Sequence, residues 1–164
     1  MLNRLGIYFK EMYPLGQRFG LAIIYFLEIY FILLLNVGIS NFKLGIAEFV
    51  GIYTIFSFLM ILRIADDFKD YEHDRRLFAE RALPSGRVYK RDLAWALAFI
   101  VVSSTLLNFI YMNNFYWFLF LYIYGTLMSL WFFQKSKIQN SLPLALVTHN
   151  PVMMVLNIYV ITFV

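Results

Sequence analysis

Cysteine is absent from this 164-residue chain, so disulfides and thiolate-held metals are excluded and nothing marks its redox compartment. Charge is scarce as well: 15% of residues are charged, against 62% hydrophobic and 20% aromatic, and the mean hydropathy is +0.69. A water-soluble domain is apolar at about half its positions, and one this small cannot enclose the surplus, so lipid is the natural solvent. Neither an internal repeat nor a low-complexity linker divides the chain. The lead from Met1 to Arg18 is interrupted by Arg4, Lys10 and Arg18 and is no signal peptide; it reads as an amphipathic segment at the cytoplasmic interface. A net charge of +4 and a pI near 9.3 could suit nucleic acid, but the basic residues sit in short connections between apolar runs. There they report membrane topology and contact with anionic lipid, and no nucleic-acid partner is expected.

What the chain has in plenty is apolar runs of membrane length. Five of them, at 19–37, 44–62, 93–111, 115–133 and 142–164, approach the roughly 20 residues a bilayer core requires. The expected fold is all-α, one polytopic transmembrane bundle over residues 1–164. With five spans, thirteen of the fourteen Lys and Arg fall on one side and Lys43 alone on the other. The amino terminus and the connection after residue 62 are therefore expected in the cytoplasm of a plasma or inner membrane. Glu28 lies in mid-span, where a charge costs about 3 kcal/mol; it either lines an internal chamber or, protonated, bonds a neighbouring helix. His149 poses the same choice between function and packing. Asn113-Asn114 marks a tight turn between antiparallel neighbours, and the aromatics of the fourth run read as lipid-facing or interfacial. Pro151 predicts a kink in the last run, with Thr148 or Asn150 placed to serve the freed carbonyl.

The chain is organised around the stretch from Arg63 to Arg76, continued by Glu80 to Arg87. Five of the ten acidic residues, Asp66, Asp67, Asp70, Glu72 and Asp74, fall within nine positions directly after an apolar run. On a continuous helix Asp66, Asp70 and Asp74 share one face at i, i+4 and i+8, and Asp67 precedes Asp70 by three residues. Like charges so spaced repel, and a divalent cation reverses the sign of that term. Magnesium suits carboxylate oxygens, keeps several waters and completes its octahedron with substrate phosphates. Arg75, Arg76, Arg81 and Arg87 stand close enough in sequence to clamp phosphate oxygens, so the stretch describes a site for Mg²⁺ and a diphosphate. The plain alternative is a solvated loop obeying topology rules.

These residues resemble the first acidic motif of the UbiA superfamily of intramembrane prenyltransferases, N-D-x-x-D-x-x-x-D followed by R-P-L-P-S-G. Asp67, Asp70 and Asp74 match the family aspartates, Arg81 its arginine, and Leu83-Pro84-Ser85-Gly86 its tail; Asp66 replaces the usual Asn and Ala82 the usual Pro. The resemblance implies Mg²⁺ held by Asp66, Asp67, Asp70 and Asp74, and a prenyl diphosphate held by Arg75, Arg81 and Lys135. Lys135 enters because Trp131 and Lys135 have the spacing of a family Tyr-x-x-x-Lys pair, with Trp for Tyr. The implied activity is transfer of a polyprenyl group to a small lipophilic acceptor, aromatic or quinone-type, within the membrane.

The family pattern has about nine spans and a second acidic motif facing the first. This chain resembles only its amino-terminal half: no Asp or Glu follows Asp92, and Ile161-Thr162-Phe163-Val164 carries no polar flank. A truncated product, or a half that works with a second polypeptide, is the resulting expectation. The rival reading, from another class, is a non-catalytic membrane subunit or transporter-like protein whose acidic patch holds a cation or lipid headgroup, or an inactive fragment.

Overall fold

The computed structural model describes residues 1–39 and 44–164, and these form helices and turns without a strand. Lys43, the one cation assigned to the opposite side, lies outside the described residues. Helix α1 (Leu2–Met12) is amphipathic, burying Leu5 and Tyr8 while Lys10 and Glu11 face out. Pro14, with φ of −58°, starts α2 (Leu15–Asn36), where its missing N–H costs nothing. Helix α3 (Ile46–Lys69) begins at Gly45, whose N–H donates to the Glu48 carboxylate at 2.7 Å; an acidic side chain there satisfies an orphan donor and complements the helix dipole. Helices α4 (Tyr71–Leu77), α5 (Lys90–Tyr111), α6 (Phe115–Ser129), α7 (Lys135–Gln139), α8 (Leu142–His149) and α9 (Pro151–Ile161) follow.

Helix α3 is the axis of the molecule. It packs most extensively on α5 and also on α2 and α6, while α9 closes the far side against α6 and α2. Two apolar cores result. One joins Phe26 and Tyr30 of α2, Ile55 and Phe58 of α3, Phe118 and Leu121 of α6, and Leu156 and Tyr159 of α9. The other gathers Leu5 and Tyr8 of α1, Met60 and Ile64 of α3, Leu93 of α5 and the loop residues Ala82, Leu83 and Val88. Where the helices meet, polar groups are matched: Asn108 donates to Thr54 Oγ1 at 2.7 Å and accepts from the Tyr159 hydroxyl at 2.8 Å, and Ser104 donates to Ser57 at 3.0 Å. Such bonds tie α3, α5 and α9 where lipid offers no competing partner. Asn114, at the expected tight turn, donates to the Tyr159 carbonyl at 3.1 Å and so fixes the turn to α9.

Among the described residues, four helices are long and apolar enough to cross a membrane: Leu15–Asn36, Ile46–Lys69, Lys90–Tyr111 and the pair Leu142–Ile161. The bundle exterior is rich in large apolar side chains, Phe99, Phe109 and Tyr116 among them, an exterior that belongs in lipid. The run expected as a fourth span at 115–133 forms a helix of only 15 residues, about 22 Å long against a hydrocarbon core of about 30 Å. It ends because Trp131, Phe132 and Phe133 take φ of 55°, 47° and 60° in succession, a left-handed turn that costs bulky L-residues about 1–2 kcal/mol each. The hydrogen-bond ladder of the last run is interrupted at Pro151, which has no N–H to give, while Asn150 keeps helical φ and ψ of −60° and −35°. The Thr148 hydroxyl, however, donates to the Leu144 carbonyl at 2.7 Å rather than to the carbonyl that Pro151 frees. Glu28 also departs from expectation: it faces neither a chamber nor a neighbouring helix but lies exposed on the outer face of α2.

Candidate functional site

The acidic stretch straddles the end of α3. The helix does not carry its aspartates along one face, because it breaks at Asp70, whose φ and ψ of −101° and 10° leave the helical region before α4 resumes at Tyr71. The expected alignment of Asp66, Asp70 and Asp74 is thereby lost. Asp67 and Asp74 turn inward and are buried, Asp66 is half-exposed, and Asp70 faces solvent.

Each inward carboxylate is matched by donors. Asp67 accepts from the Tyr8 hydroxyl at 2.5 Å on one oxygen and from Arg63 at 2.7 Å on the other. Asp74 accepts from Arg81 at 2.8 Å, and both Asp74 and Arg81 act electrostatically on Asp67. Arg81 also lies over the Phe78 ring at 3.9 Å. It is held there by the tail of the motif. Ala82 and Leu83 are buried, Gly86 adopts a φ of +77° that favours glycine, and the Val88 N–H returns to the Ala82 carbonyl at 3.0 Å. Arg75 lies exposed on α4.

Helix α1 is strapped over this end of the bundle, which the sequence did not disclose. Beyond Tyr8 and Asp67, Arg4 forms a two-bond pair with Asp92 at 2.6 and 3.0 Å, Glu11 pairs with Arg87, and the Tyr13 hydroxyl donates to the Phe56 carbonyl at 2.8 Å. Asp92 in turn sits in the first turn of α5 and accepts from the Tyr89 N–H at 3.4 Å. Burial, and then the bond to Asp67, pushes the Tyr8 phenol well above its ordinary range; burial pushes Tyr13 up to about 12.

On the other side of α3 the left-handed turn delivers Trp131. The Lys69 ammonium, on a side chain only 10% exposed, sits 4.2 Å from the centre of the Trp131 ring and 3.3 Å from Asp66. The ring also meets His149 edge-on at 5.2 Å. The Trp131 Nε1 and His149 Nε2 atoms are buried with no hydrogen-bond partner, while His149 Nδ1 lies 3.1 Å from the Ala145 carbonyl. Lys69, Trp131 and Lys135 edge a cavity of about 390 Å³. This cavity shares Ala65, Ser129 and Leu130 with an apolar cleft of about 510 Å³ lined by Phe58, Phe118 and Tyr122. A larger cavity of about 680 Å³ between α1, α3 and α5 has no charged lining. The adjoining pair is therefore the stronger candidate: an apolar cleft next to a cationic mouth beside Asp66.

Among the described residues no three acidic or histidine side chains converge as a ready metal cage. Magnesium does not require one, since it is commonly held by one or two carboxylates together with substrate phosphates and water. Asp66 and Asp70 present oxygens at the surface, and the inward Asp67 and Asp74 trade hydrogen bonds with arginine and tyrosine. The donor set is hard oxygen throughout, as that ion prefers. Of the residues singled out in sequence, Asp67, Asp74 and Arg81 are brought together, Asp66 and Lys135 fall beside the second mouth, and Asp70 and Arg75 stand apart. Lys69 and Tyr8 were missed, because their roles depend on which helices meet. Compared with protein-family models, with curated proteins and with solved structures, the chain matches none.

Proposed function

We propose that this chain forms part of an intramembrane prenyltransferase, binding a prenyl diphosphate with Mg²⁺ at the acidic end of α3 and passing the prenyl group to a lipophilic acceptor. The observation that carries the reading is that the apolar cleft and the mouth edged by Lys69 and Lys135 adjoin, sharing Ala65, Ser129 and Leu130 as a common wall. An isoprenoid tail fits the cleft by its chemistry, and two ammonium groups at its end suit the charge of the diphosphate head. The aromatic faces of Phe58, Phe118 and Tyr122 line the route and favour an allylic cation. Lys69, already desolvated against Trp131, holds its charge without reorganising when an anion enters. The Trp131 indole N–H, lacking a partner, is a further donor at that mouth.

Asp66, beside the mouth, is the carboxylate best placed to hold Mg²⁺, with the buried Asp67 and Asp74 behind it and the exposed Asp70 at the helix break as the further oxygen ligand that the acidic motif supplies. When bound, the ion supplies positive charge to the leaving diphosphate. Arg75 and Arg81 are the guanidinium groups that follow the metal ligands in the motif, and Arg81 commits one N–H to Asp74, which leaves its others for phosphate oxygens. Thirteen cations on one face support a cytoplasmic amino terminus and acidic end. That count requires α6 to cross the membrane as a fifth span. The acidic motif of a second polypeptide, or of further chain, completes the reaction centre in this reading.

A second reading has its own observation. Asp67 and Asp74 are already neutralised by Arg63, Tyr8 and Arg81, which is what a purely architectural cluster in a non-catalytic membrane subunit or transporter-like protein requires. The test is equilibrium binding of a radiolabelled prenyl diphosphate to the detergent-solubilised chain, with Mg²⁺ and with chelator. Binding that needs Mg²⁺, is displaced by inorganic pyrophosphate, and falls at least tenfold in Asp66→Asn/Asp70→Asn supports the transferase. Metal binding indifferent to the prenyl diphosphate supports the alternative.

A further inference from the structure

Helix α2 carries an outward seam that the fold leaves bare. Gln17, Leu21, Ile24, Glu28, Ile32 and Leu35 are all exposed, and at 100° per residue they fall on one face, in steps of four, three, four, four and three. At the centre of this 22-residue membrane-length helix stands Glu28. A carboxyl group in mid-membrane is rarely left to lipid, and it pairs with another polar group instead. Within the described residues Glu28 has only an electrostatic contact with Tyr25, one turn away on its own helix. The Tyr25 hydroxyl itself is given to Asn157 of α9.

We propose that this seam is the contact through which two copies of the chain associate, α2 against α2, with the two Glu28 carboxyl groups hydrogen-bonded across the twofold axis. Self-complementarity selects the occupant. Two copies inserted in one membrane share an orientation, so an α2–α2 contact is parallel, and a parallel twofold pair sets each residue opposite itself. The polar residues of the seam are suited to that arrangement. Gln17 offers both a donor and an acceptor, and two carboxyl groups sharing a proton satisfy one another. No lysine or arginine lies on the seam to demand an acidic partner. The remaining positions, Leu21, Ile24, Ile32 and Leu35, supply the apolar side chains of the helix–helix contact. This inference does not depend on prenyl transfer and would stand if that reading failed.

Because the chain has no cysteine, each introduced thiol reports alone. Single substitutions Leu21→Cys, Ile24→Cys and Leu35→Cys in the full chain, oxidised in native membranes at low expression, are expected to give a disulfide-linked species of twice the chain mass. Leu106→Cys, exposed on α5, is the collision control and is expected to give little. Added to Ile24→Cys, Glu28→Ala is expected to weaken association about tenfold, whereas Glu28→Gln, which keeps a donor and an acceptor, holds the yield and shows that the fold tolerates change at the site. Equal yields at Leu106 and the seam, an undiminished yield in Glu28→Ala, or capture of a polypeptide of different mass in place of the dimer would overturn the proposal.

Discussion

Replacing Tyr8 by phenylalanine isolates the bond on which the docking of α1 turns. The ring of Tyr8 is fully buried and stays so in the variant; only the hydroxyl that donates to Asp67 at 2.5 Å is removed. A hydrogen bond to a charged group contributes about 1.5–3 kcal/mol, and Asp67, only 5% exposed, cannot recover the loss from water. Taking about 2 kcal/mol, the undocked population of α1 rises about 30-fold. An isolated helix of 11 residues is marginal in water, so undocking exposes its amides. Hydrogen exchange of the chain in nanodiscs is then expected to show the α1 amides exchanging about 30-fold faster, with α5 and α9 unchanged. In Asp67→Asn the amide oxygen still accepts from Tyr8 but the charge is gone, so the double variant gives a coupling energy equal to the charge-dependent part of the bond alone. Unchanged exchange in Tyr8→Phe, in a preparation where Arg4→Ala does loosen α1, would refute the reasoning.

The same strap has a pH window. Tyr8 and Tyr13 have phenols raised by burial, Tyr13 to about 12, so their contribution is complete below about pH 10 and is lost as pH climbs past it. The Arg87 guanidinium holds the Glu11 carboxyl below its usual range, so that pair contributes above about pH 4.5 and fades as pH falls; α1 protection, its exchange normalised to the intrinsic amide rate at each pH, is expected to be greatest between those limits. Gly125 lets α6 approach α3: an added methyl would lie 2.7 Å from the buried Phe58 ring, so Gly125→Ala is expected to lower thermal stability by about 1–3 kcal/mol, while Gly16→Ala, which meets nothing, leaves it unchanged. Lys135→Ala, at an exposed position, is expected to weaken prenyl diphosphate binding several-fold with no shift in the melting midpoint. An equal shift in both would mark Lys135 as structural.

Periodicity and composition sufficed for the helices and for the placing of the acidic stretch at the end of one of them, because lipid leaves the backbone few alternatives. Details that depend on tertiary meeting were out of reach. Nothing local in Asp66 to Asp74 announces that the helix breaks at Asp70, since the residue there is neither glycine nor proline. The left-handed path of Trp131, Phe132 and Phe133 runs against the local preference of every residue in it, so sequence reasoning carried the fourth run on to residue 133. Asn108 could be recognised as polar in an apolar run, but its partners Thr54 and Tyr159 come from 54 and 51 residues away. For Glu28, the rule that mid-membrane charges face inward pointed to a chamber or to a bond with a neighbouring helix, whereas the helix turns it out.

The strap formed by α1 also bears on how the protein is assembled. Arg4 waits for Asp92, 88 residues further along, and Tyr8 for Asp67, 59 residues further. Helix α1 precedes α3 and α5 along the chain yet settles only after α3 and the start of α5 are in place. Until then the carboxylates it meets, Asp67 and Asp92, stand uncovered and open to water.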